Sequence, residues 1–454
     1  MKRILTSILL LLAVHVCQAG EIVVKSGESL HDALRKAREW RRTNDPQCEG
    51  GITLTIQAGR YYMNEPLFLR PEDSGTAESP LIIRGEQGTV ICGDPRQTHT
   101  QIWPKEGMEQ MISFNKDART ITIPAFDSLW MPPPHLEMVV HQRWAIAILR
   151  VKYMRANEDS ITVSFMEPES RLEFEHPWPQ PVIGGEKGNS TFLLRTTEQH
   201  DGIEQLIVID GAKHVTIEEI TFENTCWNRP LHKGHVTLQG GFPLVDAYKL
   251  KEHEGLPWDE NLENQAWIER PVSAVTVRRA ENITFERCIF RHLGSTALDI
   301  ESIEGGIITR CSFDDIGGTA ILAGSFAESP REVHRPYTDL AGQCHGLTIS
   351  HNIITSASQE DWGTFGIGCG YVSDCHIIGN DVSHLNYSGI CVGWGWTPHD
   401  TGMQRNIIAE NRVSDYARQL YDAGGIYTLS HLTLRRDTEI TGNRLTTNTA
   451  ANCA

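Results

Sequence analysis

Residues 377–390 read Ile-Ile-Gly-Asn-Asp-Val-Ser-His-Leu-Asn-Tyr-Ser-Gly-Ile, and the spacing within this stretch decides the fold. Its kernel is an apolar residue, two variable positions, Asn, one variable position and a second apolar residue, running from Ile377 through Asn380 to Val382. The same kernel occurs earlier as Phe285-x-x-Cys288-x-Phe290, Ile308-x-x-Cys311-x-Phe313 and Ile349-x-x-Asn352-x-Ile354. It recurs later as Ile408-x-x-Asn411-x-Val413 and Ile440-x-x-Asn443-x-Leu445. A weaker copy, Val215-Thr-Ile217 leading to Ile220-Thr-Phe222, precedes them all. The ladder residues are separated by 23, 41, 28, 31 and 32 positions, which fits one coil per repeat with loops of unequal length. Such self-similarity marks a repeat architecture.

A coil of about 23 residues, made of short apolar strands and Gly-containing turns, cannot bury its own inward face. Stacking at roughly 4.8 Å per rung makes the core continuous. The pattern therefore predicts an all-β chain, a right-handed parallel β-helix or solenoid. Asn suits a repeated bend because its amide bonds both backbone and the Asn of the next rung. Cys in the same place is a small buried hydrophobe, so Cys288 and Cys311 read as a sulfur stack rather than as catalysts. An α/β solenoid would need a helical period in every repeat, and none is present.

Upstream the pattern changes. Residues 28–42 place Leu30, Leu34, Ala37 and Trp40 on one helical face, predicting an amphipathic helix that caps the first coil and shields its edge. Alternating strands follow at Ile52–Ile56 and Leu81–Ile83. From about 95 to 198 the ladder is missing, and short strands, including 137–152 and 160–166, predict an inserted all-β domain. Residues 20–94 are then the cap and first coils, and 199–454 the main β-helix. Residues 1–19 carry Lys2 and Arg3, an apolar stretch from Ile4 to Val14 and a small-x-small ending, the pattern of a signal peptide. An exported protein, periplasmic or extracellular, is expected. Acylation at Cys17 as a lipoprotein is disfavoured because His15-Val16 are not small. No segment is long and apolar enough to span a membrane.

The 454 residues are 40% hydrophobic, with 41 Lys+Arg against 58 Asp+Glu and a formal net charge of −17. That charge repels phosphate backbones and argues against a nucleic-acid partner. The 11 Cys include no CxxC pair, so zinc and redox motifs lack support, and no metal or other cofactor is called for.

Candidate chemistry gathers where coils re-enter a strand. Aligning Gly366-Ile367, Gly389-Ile390 and Gly425-Ile426 brings three upstream loops into register: Glu360-Asp361-Trp362, His384 to Tyr387, and Tyr421-Asp422. Carboxylates on nearby rungs can act as a pair on a glycosidic bond. Asp422 is expected to be one carboxylate and Asp361 a second, or a ligand for sugar hydroxyls. Trp394, Trp396 and Tyr387 are expected to line a cleft, with Trp362, Glu360, His384 and Gln239 as further substrate contacts. Blander roles compete: a Trp in such a fold commonly packs in the core, and Asp before Gly-Gly commonly forms a turn. Asp299 and Glu301 alternate on a strand and read as a solvated face, and His232, His235, His334, His345 and His384 as polar loop residues.

Longer segments, among them Thr225-Cys-Trp-Asn-Arg-Pro230, Gly234 to Gln239, Glu360-Asp-Trp-Gly363, Tyr387 to Trp396 and Tyr421 to Ser430, resemble bacterial β-helix proteins of glycoside hydrolase family 141. The resemblance implies a β-helix with an inserted β-domain that hydrolyses glycosides, such as α-L-fucosides, in complex glycans with two acidic residues. Asp422 matches the first of them. An Asp-Glu-Gly-Ser motif implied for the second does not occur after Asp422, so a chain lacking its C-terminal part, with impaired activity, is one expectation. A polysaccharide lyase and a non-catalytic carbohydrate-binding solenoid are the alternatives.

Overall fold

The protein is described by a computed structural model covering residues 19–126, 133–176, 181, 191–198, 200–251, 263–328, 331–332, 343–394, 401–429 and 439–446. Residues 1–18 of the expected signal peptide, Trp396, His334 and the C-terminal residues 447–454 lie outside the described residues.

Three long parallel sheets form a right-handed β-helix. The first sheet runs from Gly20–Val24 to Glu439–Thr441, the second from Gly59–Tyr62 to Arg444–Thr446, and the third from Leu67–Leu69 to Ile426–Thr428. Each coil contributes one strand to each sheet in that order, and equivalent side chains stack. Phe222, Phe290 and Phe313 are in register, with ring centroids 5.0 and 4.6 Å apart. The aligned isoleucines are also in register, Ile367 with Ile390 and Ile390 with Ile426.

The ladder marks the corner between the first and second sheets. Asn352, Asn380 and Asn411 are buried, and each amide donates to the side-chain oxygen of the next, at 3.0, 2.9 and 3.0 Å along the run to Asn443. That same oxygen accepts the preceding ladder residue's backbone N–H, so Asn380 Oδ1 serves both Asn352 N and Asn352 Nδ2. Residues just before the ladder, Arg287, Arg310, His351 and Glu410, have φ between 52° and 58°. Left-handed backbone is costly for residues with a Cβ, and from Arg310 onward the buried amide column fixes it, beginning with Cys311 N donating to Asn352 Oδ1. Cys288 and Cys311 occupy the ladder position as buried free thiols.

Helix Leu30–Arg42, started by Ser29 accepting from Asp32 N, buries Leu30, Ala33, Leu34 and Ala37 over the first coil. The inserted strands fall between Cys92 of the second sheet and Ile207 of the third, and form their own antiparallel sheet. The expected strand over 137–152 is two antiparallel strands, Leu136–His141 and Ile146–Ala156, joined by a tight turn. A small four-stranded sheet, built from Leu244–Lys251, Glu263–Ile268, Ala327–Glu328 and Arg331–Glu332, had no signature in the repeat pattern.

Asp299 departs from its expected solvated role. It is 1% exposed, and both its oxygens accept from Arg270, whose guanidinium comes in from the segment before the third-sheet strand. Strand alternation cannot signal such a partner, because Arg270 belongs to a neighbouring coil's loop.

Candidate active site

One corner of the solenoid, between the second- and third-sheet strands, carries the main excursions. The insertion leaves from it after Cys92, residues 226–272 leave from it one coil later, and the loops bearing Asp361 and Asp422 occupy it further along. Parallel stacking therefore gathers segments far apart in sequence onto one edge.

The insertion's hairpin turn docks on that edge. Arg143 O accepts from Tyr421 N at 2.8 Å, Trp144 Nε1 donates to Leu238 O at 2.9 Å, and His141 Nε2 pairs with Gln419 O at 2.8 Å. Burial lowers the His141 pKa, partly opposed by the Gln419 carbonyl, so the ring favours the neutral form with Nε2–H donating. Gly363 permits the close approach: a Cβ there would lie 3.0 Å from Trp144 O. Beneath the turn, Val139, Ile146 and Ile148 pack on Trp227, Phe365, Tyr387, Cys391 and Leu420, with Trp144 and Trp362 at the margin.

Asp361 lies in the wall of a pocket of about 270 Å³ beside the docked turn. It is 4% exposed, with Oδ2 2.8 Å from His235 Nε2, its own N–H held by Gly317 O, and its carbonyl accepting from Thr364 Oγ1. Gly241 makes room for the carboxylate, since a Cβ there would stand 2.9 Å from Oδ2. His235 is thus not a polar loop residue: it is buried, 126 positions from its partner. Glu204 and Arg229 line the same pocket. Burial raises the Glu204 carboxyl pKa, partly opposed by the N–H of Asn228.

Asp422 lies elsewhere. It is exposed, its φ is 55°, and its carbonyl accepts from Tyr387 OH at 3.0 Å. Burial pushes the Tyr387 phenol well up and Tyr427 to about 12, with the Asp422 charge adding to both. Two protonated tyrosines therefore flank this carboxylate. One coil lies between those of Asp361 and Asp422, which puts them two rung steps, roughly 10 Å, apart along the axis, and the pocket around Asp361 does not include Asp422.

The other expected contacts separate. Trp362 and Tyr387 belong to the apolar seam under the insertion. Trp394 is fully buried, its ring packed against Phe242 and Phe326 at 5.3 and 5.0 Å, so the expected sugar platform is instead core. Glu360 is engaged by His99 Nε2 at 3.0 Å and Arg195 Nη1 at 3.2 Å, which ties the insertion to the coil. Burial would raise the Glu360 pKa, but the His99 hydrogen bond and the Arg195 charge outweigh it and hold the carboxyl at about 2. His384 sits at an exposed corner, 3.6 Å from Asp415. Gln239 lies in the tight turn that its carbonyl closes on Phe242 N. Sequence patterns gave no sign of Glu204, Arg229 or His235 as pocket residues, although Thr225–Pro230 and Gly234–Gln239 stood out as motifs.

Among the described residues, no group of three or more His, Cys, Asp and Glu is arranged to hold a metal ion, and no helix is long and apolar enough to cross a membrane.

Residues 96–201 match the insertion domain of glycoside hydrolase family 141. A solved structure titled "Glycoside hydrolase" is 32% identical, aligning over 94% of this chain and 88% of its own with a TM-score of 0.85. Weaker likenesses include PfbA, a surface adhesin of Streptococcus pneumoniae, at 11% identity over 92% of this chain and 68% of its own (TM-score 0.40). Another is a family 136 lacto-N-biosidase from Eubacterium ramulus, at 12% identity over 92% and 57% (TM-score 0.40). No curated protein matches the chain. With close to a third of its residues identical to a glycoside hydrolase over nearly the full length of both, the chain belongs to the glycoside hydrolases, and it carries an insertion domain of the family 141 type.

Proposed function

We propose that this glycoside hydrolase is an exported enzyme cleaving glycosidic bonds in complex glycans, with α-L-fucosides the first class to test. Asp422 supplies the reacting carboxylate, and Asp361 holds the approach to it. The observation that carries the assignment is the setting of Asp422. Its backbone is pinned by Tyr387, its side chain is open to solvent, and it stands beside two phenols that stay protonated across the working pH range. Glycosidic cleavage needs a carboxylate able to reach the anomeric centre; the two phenols, held protonated, serve as hydrogen-bond donors there and not as the general acid. Asp361, buried and committed to His235, fits a positioning role better than a nucleophile's.

The test is hydrolysis of an aryl-glycoside panel by wild type and Asp422→Asn. A fall in kcat of two orders of magnitude or more, with the melting temperature unchanged, is the expected outcome. Hydrolysis at wild-type rate by the variant would overturn the assignment. Calcium-dependent release of unsaturated products would favour a polysaccharide lyase instead. Export is checked by amino-terminal sequencing of the mature protein, which should begin near Gly20.

A further inference from the structure

The turn that the insertion sets on the corner grips the loop of Asp422 by its backbone. His141 Nε2 lies 2.8 Å from Gln419 O, and because a carbonyl only accepts, the ring nitrogen donates. Tyr421 N donates to Arg143 O at 2.8 Å, and the His141 ring meets the Tyr421 ring edge-on at 5.6 Å. Both anchor points fall within three residues of Asp422, yet His141 is 278 positions from Gln419 in sequence. The preceding coil holds the same loop independently. Asn386 O accepts from Gln419 N and Leu420 N, and Tyr387 OH donates to Asp422 O.

The turn is itself braced from within the insertion. Gln142 N closes it on Ala145 O at 3.0 Å, and Gln142 Nε2 donates to Glu173 Oε1 at 2.6 Å. Glu173 is fully buried in helix Glu169–Glu175, so the brace is anchored in the insertion's core. His141 and Arg143 flank the braced residue, and the two groups that grip the loop are fixed with it. Asp422 needs such a hold. Its φ of 55° is a left-handed backbone, which persists in a residue with a Cβ only where the surroundings over-determine it. A reacting group displaced by 1 Å can lose about 10²-fold in rate, so what sets this backbone also sets the rate.

We propose that His141 is a positioning residue for catalysis: through Gln419 and Tyr421 it holds the backbone that carries Asp422, so the site is complete only with the insertion docked. The proposal rests on Asp422 as the reacting carboxylate. The experiment compares full-length wild type with His141→Leu, which removes the donor but keeps apolar bulk. His141→Gln, whose amide N–H has nearly the reach of imidazole Nε2, tests for rescue. Gln142→Met removes the brace and leaves His141 in place, which keeps the question open to test should His141→Leu not fold. Thermal unfolding checks each variant. The readouts are kcat and KM on the aryl glycoside that wild type hydrolyses fastest, and hydrogen exchange at the Tyr421 amide, which needs no substrate.

In His141→Leu, kcat should fall about tenfold to a hundredfold with KM within about twofold, and Tyr421 exchange should rise about tenfold. His141→Gln should bring kcat back to within about threefold of wild type, and Gln142→Met should move kcat and exchange in the same direction as His141→Leu. A folded His141→Leu with kcat within twofold of wild type would overturn the proposal. So would unchanged Tyr421 exchange, or a glutamine variant as slow as the leucine one, since a merely structural histidine would not be rescued through its N–H. Asp422→Asn separates the two claims. Hydrolysis at the wild-type rate by that variant refutes the Asp422 assignment, whereas its loss together with full-rate His141→Leu refutes the positioning role alone.

Discussion

Glu360→Gln tests how the insertion is held over the site. In the native protein this side chain is 11% exposed and sits between His99 and Arg195, both from the insertion, while Arg195 also donates to Glu137. Burial alone would raise the carboxyl pKa, but the hydrogen bond with His99 and the positive charge of Arg195 prevail and hold it at about 2 against an ordinary 4.5. At roughly 1.4 kcal/mol per pH unit, that difference corresponds to about 3 kcal/mol. Because the folded pKa is depressed, this stabilisation is fully present above the unfolded value near 4.5 and is lost as pH falls toward 2. Glutamine keeps the shape and one acceptor but removes the charge, and it leaves Arg195 buried with only Glu137 to balance it. Unfolding by urea, followed by tryptophan fluorescence from pH 2.5 to 7, should show the variant about 3 kcal/mol less stable at pH 6. The gap between the two proteins should narrow below pH 4.5. A gap that is absent at pH 6, or that stays constant down to pH 2.5, would refute the account.

Three further outcomes follow from the same contacts. Asn380→Ala removes four side-chain hydrogen bonds in the ladder, and at about 1 kcal/mol each should cost about 3–4 kcal/mol by chemical denaturation. Gly363→Val should loosen the insertion's docked turn, because even a Cβ would press on Trp144 O; hydrogen exchange around residues 141–146 should rise by about tenfold or more. Among the described cysteines all but Cys48 are buried, and burial pushes Cys391 to about 12 and Cys344 and Cys226 to about 11. Maleimide at pH 8 should therefore label Cys48 far ahead of these three in the native protein, and peptide mapping after denaturation should show them all modified.

Much of the architecture was legible in the residues because a solenoid writes its core as a local repeat. The ladder from Cys288 to Asn443 specifies buried corners, and the alignment of Ile367, Ile390 and Ile426 follows from the same period. The amphipathic face of Leu30, Leu34 and Ala37 likewise announces a helix that must cover something apolar. The site was less legible. Trp394 reads as a platform in a Gly-Trp-Gly-Trp run, yet Phe242 and Phe326 enclose it from segments the repeat does not index. Asp299 reads as solvated until Arg270 reaches it from another coil.

The sequence by itself determined the parallel β-helix, its capping helix and its inserted sheet. Only the tertiary structure decided that Asp361 is committed to His235, that Glu360 fastens the insertion, and that Glu204, Arg229 and Thr296 share a pocket. The physical reason is range. Periodicity reports which face of a coil is buried, since every coil solves the same packing problem, whereas a site is made by single contacts between excursions from one corner. Contacts spanning more than a hundred residues leave no period to read.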